Sequence, residues 1–271
     1  MNKSVFITGA TVGTGYATAE KFAAAGYNVF IASRSQERAQ EAADKIAAKY
    51  GVFAKGYGLG IRDEEAVKAV FADIDAQDCF VQTVVLNAAN MGFGTDPAKG
   101  LDFFTQSVDE FQEVFETNLV WNFMIVRQAA IRMKEQGGGA IVFIGSNTAY
   151  RAIPNRMAYC ASKGGINSLS KAMAVDLGKY GIRSNVVLPG TIKTERWVQM
   201  GNSRIVDGGF TPIGDISDFE DIANAAFFLG TDLSKNITGT ELMVDGGMSC
   251  QLYPQLLNEL KKEKIESQKL S

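Results

Sequence analysis

The chain has 271 residues, 46% hydrophobic and 21% charged, with 28 glycines, 5 prolines, 3 cysteines and no histidine. A net charge of −3 excludes a strongly basic nucleic-acid footprint, and the composition is that of a globular protein rather than a disordered or collagen-like one. Without histidine there can be no Ser-His or Cys-His nucleophile pair, no His-ligated metal and no imidazole proton shuttle, so acid–base chemistry near neutral pH must come from another group with a shifted pKa.

The chain opens on an apolar run at residues 5–8, preceded only by Lys3 and Ser4, so no signal peptide is expected. The next apolar runs fall at 28–33, 52–57, 82–86, 140–145, 184–188 and 241–244. They are rich in Val, Ile and Phe without strict alternation, as expected of strands covered on both faces. Helical spacing occupies the intervals 14–25, 36–50, 64–74, 108–135, 157–180 and 219–229. Gly26, Gly51 and Gly181 sit just past predicted helix ends, where a left-handed residue is favoured. Strict strand–helix alternation predicts one doubly wound α/β domain with a parallel seven-stranded sheet of Rossmann type, over residues 1–250.

Residues 251–271 follow the last predicted strand, with Leu252, Leu256, Leu257 and Leu260 on one helical face and Lys261, Lys262 and Lys264 after them. They are either a solvated terminal helix, the simpler expectation, or a tail covering the substrate site or a partner subunit. Cys79, Cys160 and Cys250 form no CxxC pair, and no apolar run approaches the 18 or so residues that span a bilayer. These features predict a cytoplasmic protein with reduced thiols and no membrane or nucleic-acid partner.

In such a sheet, ligands bind beyond the carboxyl ends of the strands. The first of these ends reads Thr8-Gly9-Ala10-Thr11-Val12-Gly13-Thr14-Gly15. Its glycines allow a sharp turn and a close approach of backbone to a pyrophosphate, which then meets the free N–H groups at the helix start. A turn needs glycine anyway, but this one follows the first strand of an alternating chain. After the second strand, where an NAD binder carries Asp or Glu, stand Ser33 and Arg34, with Arg38 a helical turn later. A missing carboxylate with an Arg beside it favours NADP(H) over NAD(H), since Arg pairs bidentately with a 2′-phosphate. The alternative is a solvated Arg at a helix start.

Ser146 ends the fifth strand, and Tyr159 and Lys163, four apart, share one face of the helix predicted over 157–180. Bringing a Tyr from its usual pKa near 10 to about 7 needs roughly 4 kcal/mol of phenolate stabilisation. An ammonium about 5 Å away supplies a few kcal/mol at an effective dielectric near 20, and a bound cationic nicotinamide can add to it. Y-x-x-x-K alone is a common exposed pair on helices; its place in this chain gives it weight.

From Lys3 to Gly247 the chain resembles the short-chain dehydrogenase/reductase family. T-G-x-x-x-G-x-G is Thr8 to Gly15, the active-site Ser is Ser146, and Y-x-x-x-K is Tyr159 and Lys163. The resemblance implies a fourth catalytic residue, Asn118, holding a water that relays protons to Lys163. It also implies cofactor contacts from Gly9, Thr11, Gly13, Thr14 and Gly15, from Ser33 and Arg34, and from Asn87 and Ala88 after the fourth strand. Pro189, Gly190, Ile192 and Thr194 after the sixth strand complete the set, and Tyr159 and Lys163 face the same cofactor, Lys163 bonding the nicotinamide ribose. The implied reaction moves a hydride between the nicotinamide and a carbonyl carbon while Tyr159 passes a proton to or from the oxygen. No metal is implied, and the family's usual dimer or tetramer uses the two long helices.

Two positions depart from the family pattern: Asn87-Ala88-Ala89-Asn90 stands for N-N-A-G, and Gly60 for an Asp that binds adenine. They motivate the alternative, a catalytically silent nucleotide-sensing or scaffold protein on the same fold. Phe93, Leu101, Phe103 and Phe104, with Trp197, Met200 and Phe210, point to an apolar substrate such as a hydroxysteroid or 3-oxoacyl compound, or else pack loops and subunits together.

Overall fold

The computed structural model describes residues 2–92, 102–194 and 210–252. Seven parallel strands form one sheet: β1 (Asn2–Thr8), β2 (Asn28–Ser33), β3 (Ala54–Gly58), β4 (Cys79–Leu86), β5 (Gly139–Ile144), β6 (Ile182–Pro189) and β7 (Glu241–Val244). Their spatial order is β3-β2-β1-β4-β5-β6-β7, so the order reverses between β1 and β4 and opens a crevice at their carboxyl ends.

Side-chain alternation divides the apolar strands between two cores. Phe6, Phe30, Phe143 and Leu188 point to one face, where α3 (Glu64–Asp75), α5 (Trp121–Glu135) and α6 (Met157–Gly178) cover them with Phe71, Ile125 and Ile166. Val5, Ile7, Val29, Ile31, Val85 and Val142 point to the other. There α1 (Gly13–Ala24), α2 (Gln36–Tyr50) and α7 (Phe219–Gly230) contribute Phe22, Ile46 and Ile222. Burial on both faces is why the strands read as continuous apolar runs.

Predicted and observed elements coincide for β2, α2 and β7. β1 and β6 begin earlier than their apolar runs because polar Asn2, Lys3 and Arg183 also join the ladder, and β4 begins earlier because Cys79, Phe80 and Val81, ahead of polar Gln82, pair with β1. The helix predicted over 108–135 is interrupted: α4 (Val108–Phe115) runs into a π-helical turn, Glu116–Val120, before α5. The extra residue in that turn rotates Asn118 into the interior, where it is fully buried.

Of the apolar loop residues, Phe93, Leu101, Trp197 and Met200 lie outside the described residues, as does the predicted tail beyond Leu252. Phe103 and Phe104 meet edge to face at 5.4 Å and are 69% and 91% exposed, so they do not pack the described part of their loop. Among the described residues no helix is long and apolar enough to cross a membrane.

Candidate active site

The first βα turn is shaped by close approaches. Gly9 (φ +65°) and Gly13 (φ +61°) adopt left-handed backbone, which a side chain disfavours. A Cβ on Gly15 would fall 2.4 Å from the Gly9 carbonyl oxygen and 2.6 Å from Asn87 Nδ2, so only glycine closes the turn. Helix α1 has no side-chain cap at Val12 and no acidic residue in its first turn. By contrast α2, α3, α4 and α7 are capped by Ser35, Asp63, Ser107 and Asp218. The backbone donors of Gly13, Thr14 and Gly15 thus keep their anion-binding capacity at the crevice, which fits a nucleotide pyrophosphate.

Thr8 joins this loop to the end of β4. Its hydroxyl accepts the N–H groups of Asn87 and Ala88, each at 3.0 Å. The Asn87 amide returns the tie, donating to the carbonyls of Thr8 (3.2 Å) and Gly9 (3.0 Å). Asn87 therefore holds the phosphate loop in place from behind. At the end of β2 the Ser33 hydroxyl donates to Ser35 O at 2.7 Å, and Arg34 is exposed with no ion pair among the described residues. Gly60 is exposed, and a Cβ there meets nothing within 4 Å.

At the far side of the crevice, Gly190 packs against Asp245, where a Cβ would come within 2.6 Å of the Asp245 Cβ. Ile192 bridges to Ser217. Thr194 is the last described residue before the 195–209 gap.

The remaining candidates meet at the ends of β4 and β5. Lys163 is 3% exposed, and its Nζ donates to the Ile144 carbonyl at 2.8 Å. Burial without an acidic partner pulls its pKa down to about 8. Tyr159 is 7% exposed, and burial pushes its phenol up to about 12 against the opposing pull of a hydrogen bond with Ser146. Desolvation thus opposes the phenolate stabilisation expected from the Tyr159–Lys163 spacing. Ser146 Oγ also accepts the Thr148 N–H at 3.2 Å, which orients it at the start of the turn Asn147–Ala149.

Asn118 links two elements. Its Oδ1 accepts the Asn90 N–H at 2.7 Å, and its Nδ2 donates to Asn90 O and Ser162 Oγ, both at 2.9 Å. The departure at Asn90 is accommodated locally, since its own side-chain oxygen accepts the Gly92 N–H at 2.9 Å. Sequence spacing brought out neither Asn90 nor Ser162 as partners, because both contacts are long-range and each residue reads as an ordinary polar position. Among the described residues, no three His, Cys, Asp or Glu side chains gather as a metal site.

A parallel sheet with a glycine-lined phosphate turn and a buried Ser–Tyr–Lys group across the crevice defines a dinucleotide-binding oxidoreductase. The family described as enoyl-(acyl carrier protein) reductase matches residues 9–249. The chain is 31% identical to the 3-oxoacyl-[acyl-carrier-protein] reductase FabG of Aquifex aeolicus, over 91% of this chain and 97% of that one. It is 32% identical to the 3alpha-hydroxysteroid dehydrogenase of Mediterraneibacter gnavus, over 90% and 96%. The solved structure of ElxO with NADP bound superposes with a TM-score of 0.82 at 28% identity, covering 93% of this chain and all of that one. The protein belongs to the short-chain dehydrogenase/reductase family and is an oxidoreductase of that family, which binds a nicotinamide cofactor.

Proposed function

We propose that the protein is an NADP(H)-preferring enzyme that interconverts a ketone and a secondary alcohol, with Tyr159 as the acid/base. The observation that carries this reading is the Tyr159 phenol, buried yet hydrogen-bonded to Ser146 beside a buried Lys163. When bound, the nicotinamide supplies or accepts the hydride. The protonated phenol donates to the substrate oxygen in reduction, and Ser146 orients that oxygen and the phenol together. Lys163, held by the Ile144 carbonyl, places a positive charge beside the phenolate left after donation. Asn118 positions the site by tying the end of β4 to Ser162, the neighbour of Lys163. Gly9, Thr11, Gly13, Thr14 and Gly15 cradle the pyrophosphate, and Arg34 takes the 2′-phosphate.

The exposed Phe103–Phe104 pair supports an apolar substrate. The names of the two relatives suggest a 3-oxoacyl thioester or a 3-oxo steroid. A homodimer or homotetramer is supported by exposed Val108, Phe123, Ile131 and Val175 on α4, α5 and α6. We further place the protein in the cytoplasm as one domain over 1–250. The test is a panel of acetoacetyl-N-acetylcysteamine, a 3-oxo steroid and 2,3-butanedione with NADPH, followed by loss of absorbance of the reduced nicotinamide. Oxidation of NADPH by at least one compound is expected. Nucleotide binding without turnover on any of the three rejects the reading.

A further inference from the structure

The loop that carries Ser146 toward α6 is fastened to the segment that follows β7. Arg151, five residues after Ser146, donates through Nη2 to the carbonyls of Ser249 (2.7 Å) and Gln251 (2.6 Å). Its neighbour Tyr150 gives its hydroxyl to the Glu241 carboxylate on β7. Asn147, next to Ser146, approaches the Met248 sulfur at 3.7 Å. One loop is thus held at three points by residues that lie about a hundred positions further along.

The segment after β7 is itself stiffened to receive these contacts. The buried Asp245 carboxylate accepts the N–H groups of Gly247 (3.0 Å) and Ser249 (2.8 Å), folding 245–249 into a hook. Gln251 is 8% exposed, and its Nε2 donates to Phe210 O at 2.6 Å, where the chain returns toward α7. A surface segment needs no buried amide and no guanidinium on its carbonyls to remain soluble. Three segments around one crevice, the Ser146 loop, the hook and the stretch beginning at Phe210, meet at Arg151 and Gln251.

From this we infer that Arg151 is a positioning residue: with Gln251 it latches the 245–251 segment after β7 onto the Ser146 loop and thereby sets where Ser146 meets the substrate oxygen. The inference rests on the ketone-reductase reading for its catalytic consequence, though the latch is a separate physical claim. A guanidinium makes two charge-assisted bonds in a fixed fork, so it holds two carbonyls in register. Release of the loop moves the Ser146 hydroxyl by a fraction of its hydrogen-bond length, enough to weaken substrate orientation. The phosphate turn lies on other elements and is untouched.

The experiment compares wild type with Arg151→Ala, Arg151→Lys and Gln251→Ala in the full chain. Amide hydrogen exchange is followed in 147–156 and 245–252, with 8–16 as the internal reference, and NADPH affinity is measured by fluorescence. Steady-state constants are taken on the panel ketone that wild type reduces. In Arg151→Ala we expect faster exchange in both segments, KM raised about tenfold, kcat within about threefold and NADPH affinity unchanged. Gln251→Ala is expected to act in the same direction, and Arg151→Lys, which keeps the charge but not the fork, to give a KM between those of wild type and Arg151→Ala. Unchanged exchange in 245–252 overturns the latch. Faster exchange with unchanged KM overturns the positioning role, as does a parallel loss of NADPH affinity. If Arg151→Ala fails to fold, Gln251→Ala carries the same expectations. A wild type that reduces none of the panel rejects the reductase reading instead, and the exchange data then decide the latch.

Discussion

Lys163 donates to the Ile144 carbonyl at 2.8 Å while its Nζ lies 5.5 Å from the centre of the Tyr159 ring. One turn of α6 therefore holds a buried cation against the end of β5 and beside the phenol. Neither group has a carboxylate partner, so burial acts on both in opposite senses. The phenol is pushed up to about 12 and the amine down to about 8.

Replacing Tyr159 by Phe removes the proton donor and leaves the ring's packing. Turnover of the panel ketone is expected to fall by about 10²–10⁴, with NADPH affinity nearly unchanged. Stopped-flow or steady-state rates with a parallel fluorescence titration measure both. Wild-type turnover in the variant removes Tyr159 from the mechanism.

Lys163 gives a stability prediction with a definite sign. Its pKa is about 8 in the fold against 10.5 when exposed, so between these values the unfolded chain holds one more proton. Stability then rises with pH across that window, and the burial penalty, about 3 kcal/mol, is present in full below pH 8. Lys163→Met is expected to raise the thermal midpoint at pH 7 while abolishing turnover, with the gain shrinking as pH climbs from 8 toward 10.5. Melting curves at pH 7 and 10 decide it, since an equal difference at both refutes the depressed pKa.

The same charge predicts a rate profile. If the Lys163 ammonium supports the phenolate, kcat/KM for ketone reduction should decline as pH rises through about 8, well below the phenol's own ionisation. A profile flat to pH 10 would assign that support elsewhere.

Two glycines at the crevice make a matched pair. Gly15→Ala drives a methyl to 2.4 Å from a backbone carbonyl and should cost about 1–3 kcal/mol and most of the NADPH affinity. Gly60→Ala meets open space and should leave both within error. Thermal midpoints and NADPH titrations on the two variants separate turn closure from a general intolerance of substitution.

The proposed NADP(H) preference assigns the 2′-phosphate to Arg34. Arg34→Ala is expected to lower kcat/KM for NADPH about 10–100-fold with little change for NADH, the size of one lost charge-assisted bond. An equal loss for both nucleotides would remove the 2′-phosphate assignment.

Much of the architecture was legible because both faces of the central strands β1, β2, β4, β5 and β6 are largely buried. Apolar runs with glycine-marked helix ends therefore reported β2, α2 and β7 to the residue. Boundaries slipped where polar Lys3 or Arg183 extend a ladder, since ladder pairing uses backbone groups that any side chain permits. The Ser146, Tyr159 and Lys163 spacing was legible too, because a helical repeat of four keeps two side chains on one face. The π-helical turn at Asn118 was not, as the periodicity of 108–135 tolerates one inserted residue without losing its apolar stripe.

The amino-acid order by itself determined the alternating α/β fold, the glycine turn and the residue types that face the crevice, because these follow from local periodicity and backbone freedom. Only the tertiary structure decided that Asn87 braces the glycine turn, that Asn118 ties Asn90 to Ser162, and that Arg151 bonds the segment after β7. It also showed Tyr159 and Lys163 desolvated together. Desolvation and long-range hydrogen bonds depend on which distant segments close over a group, and no spacing along the chain encodes that.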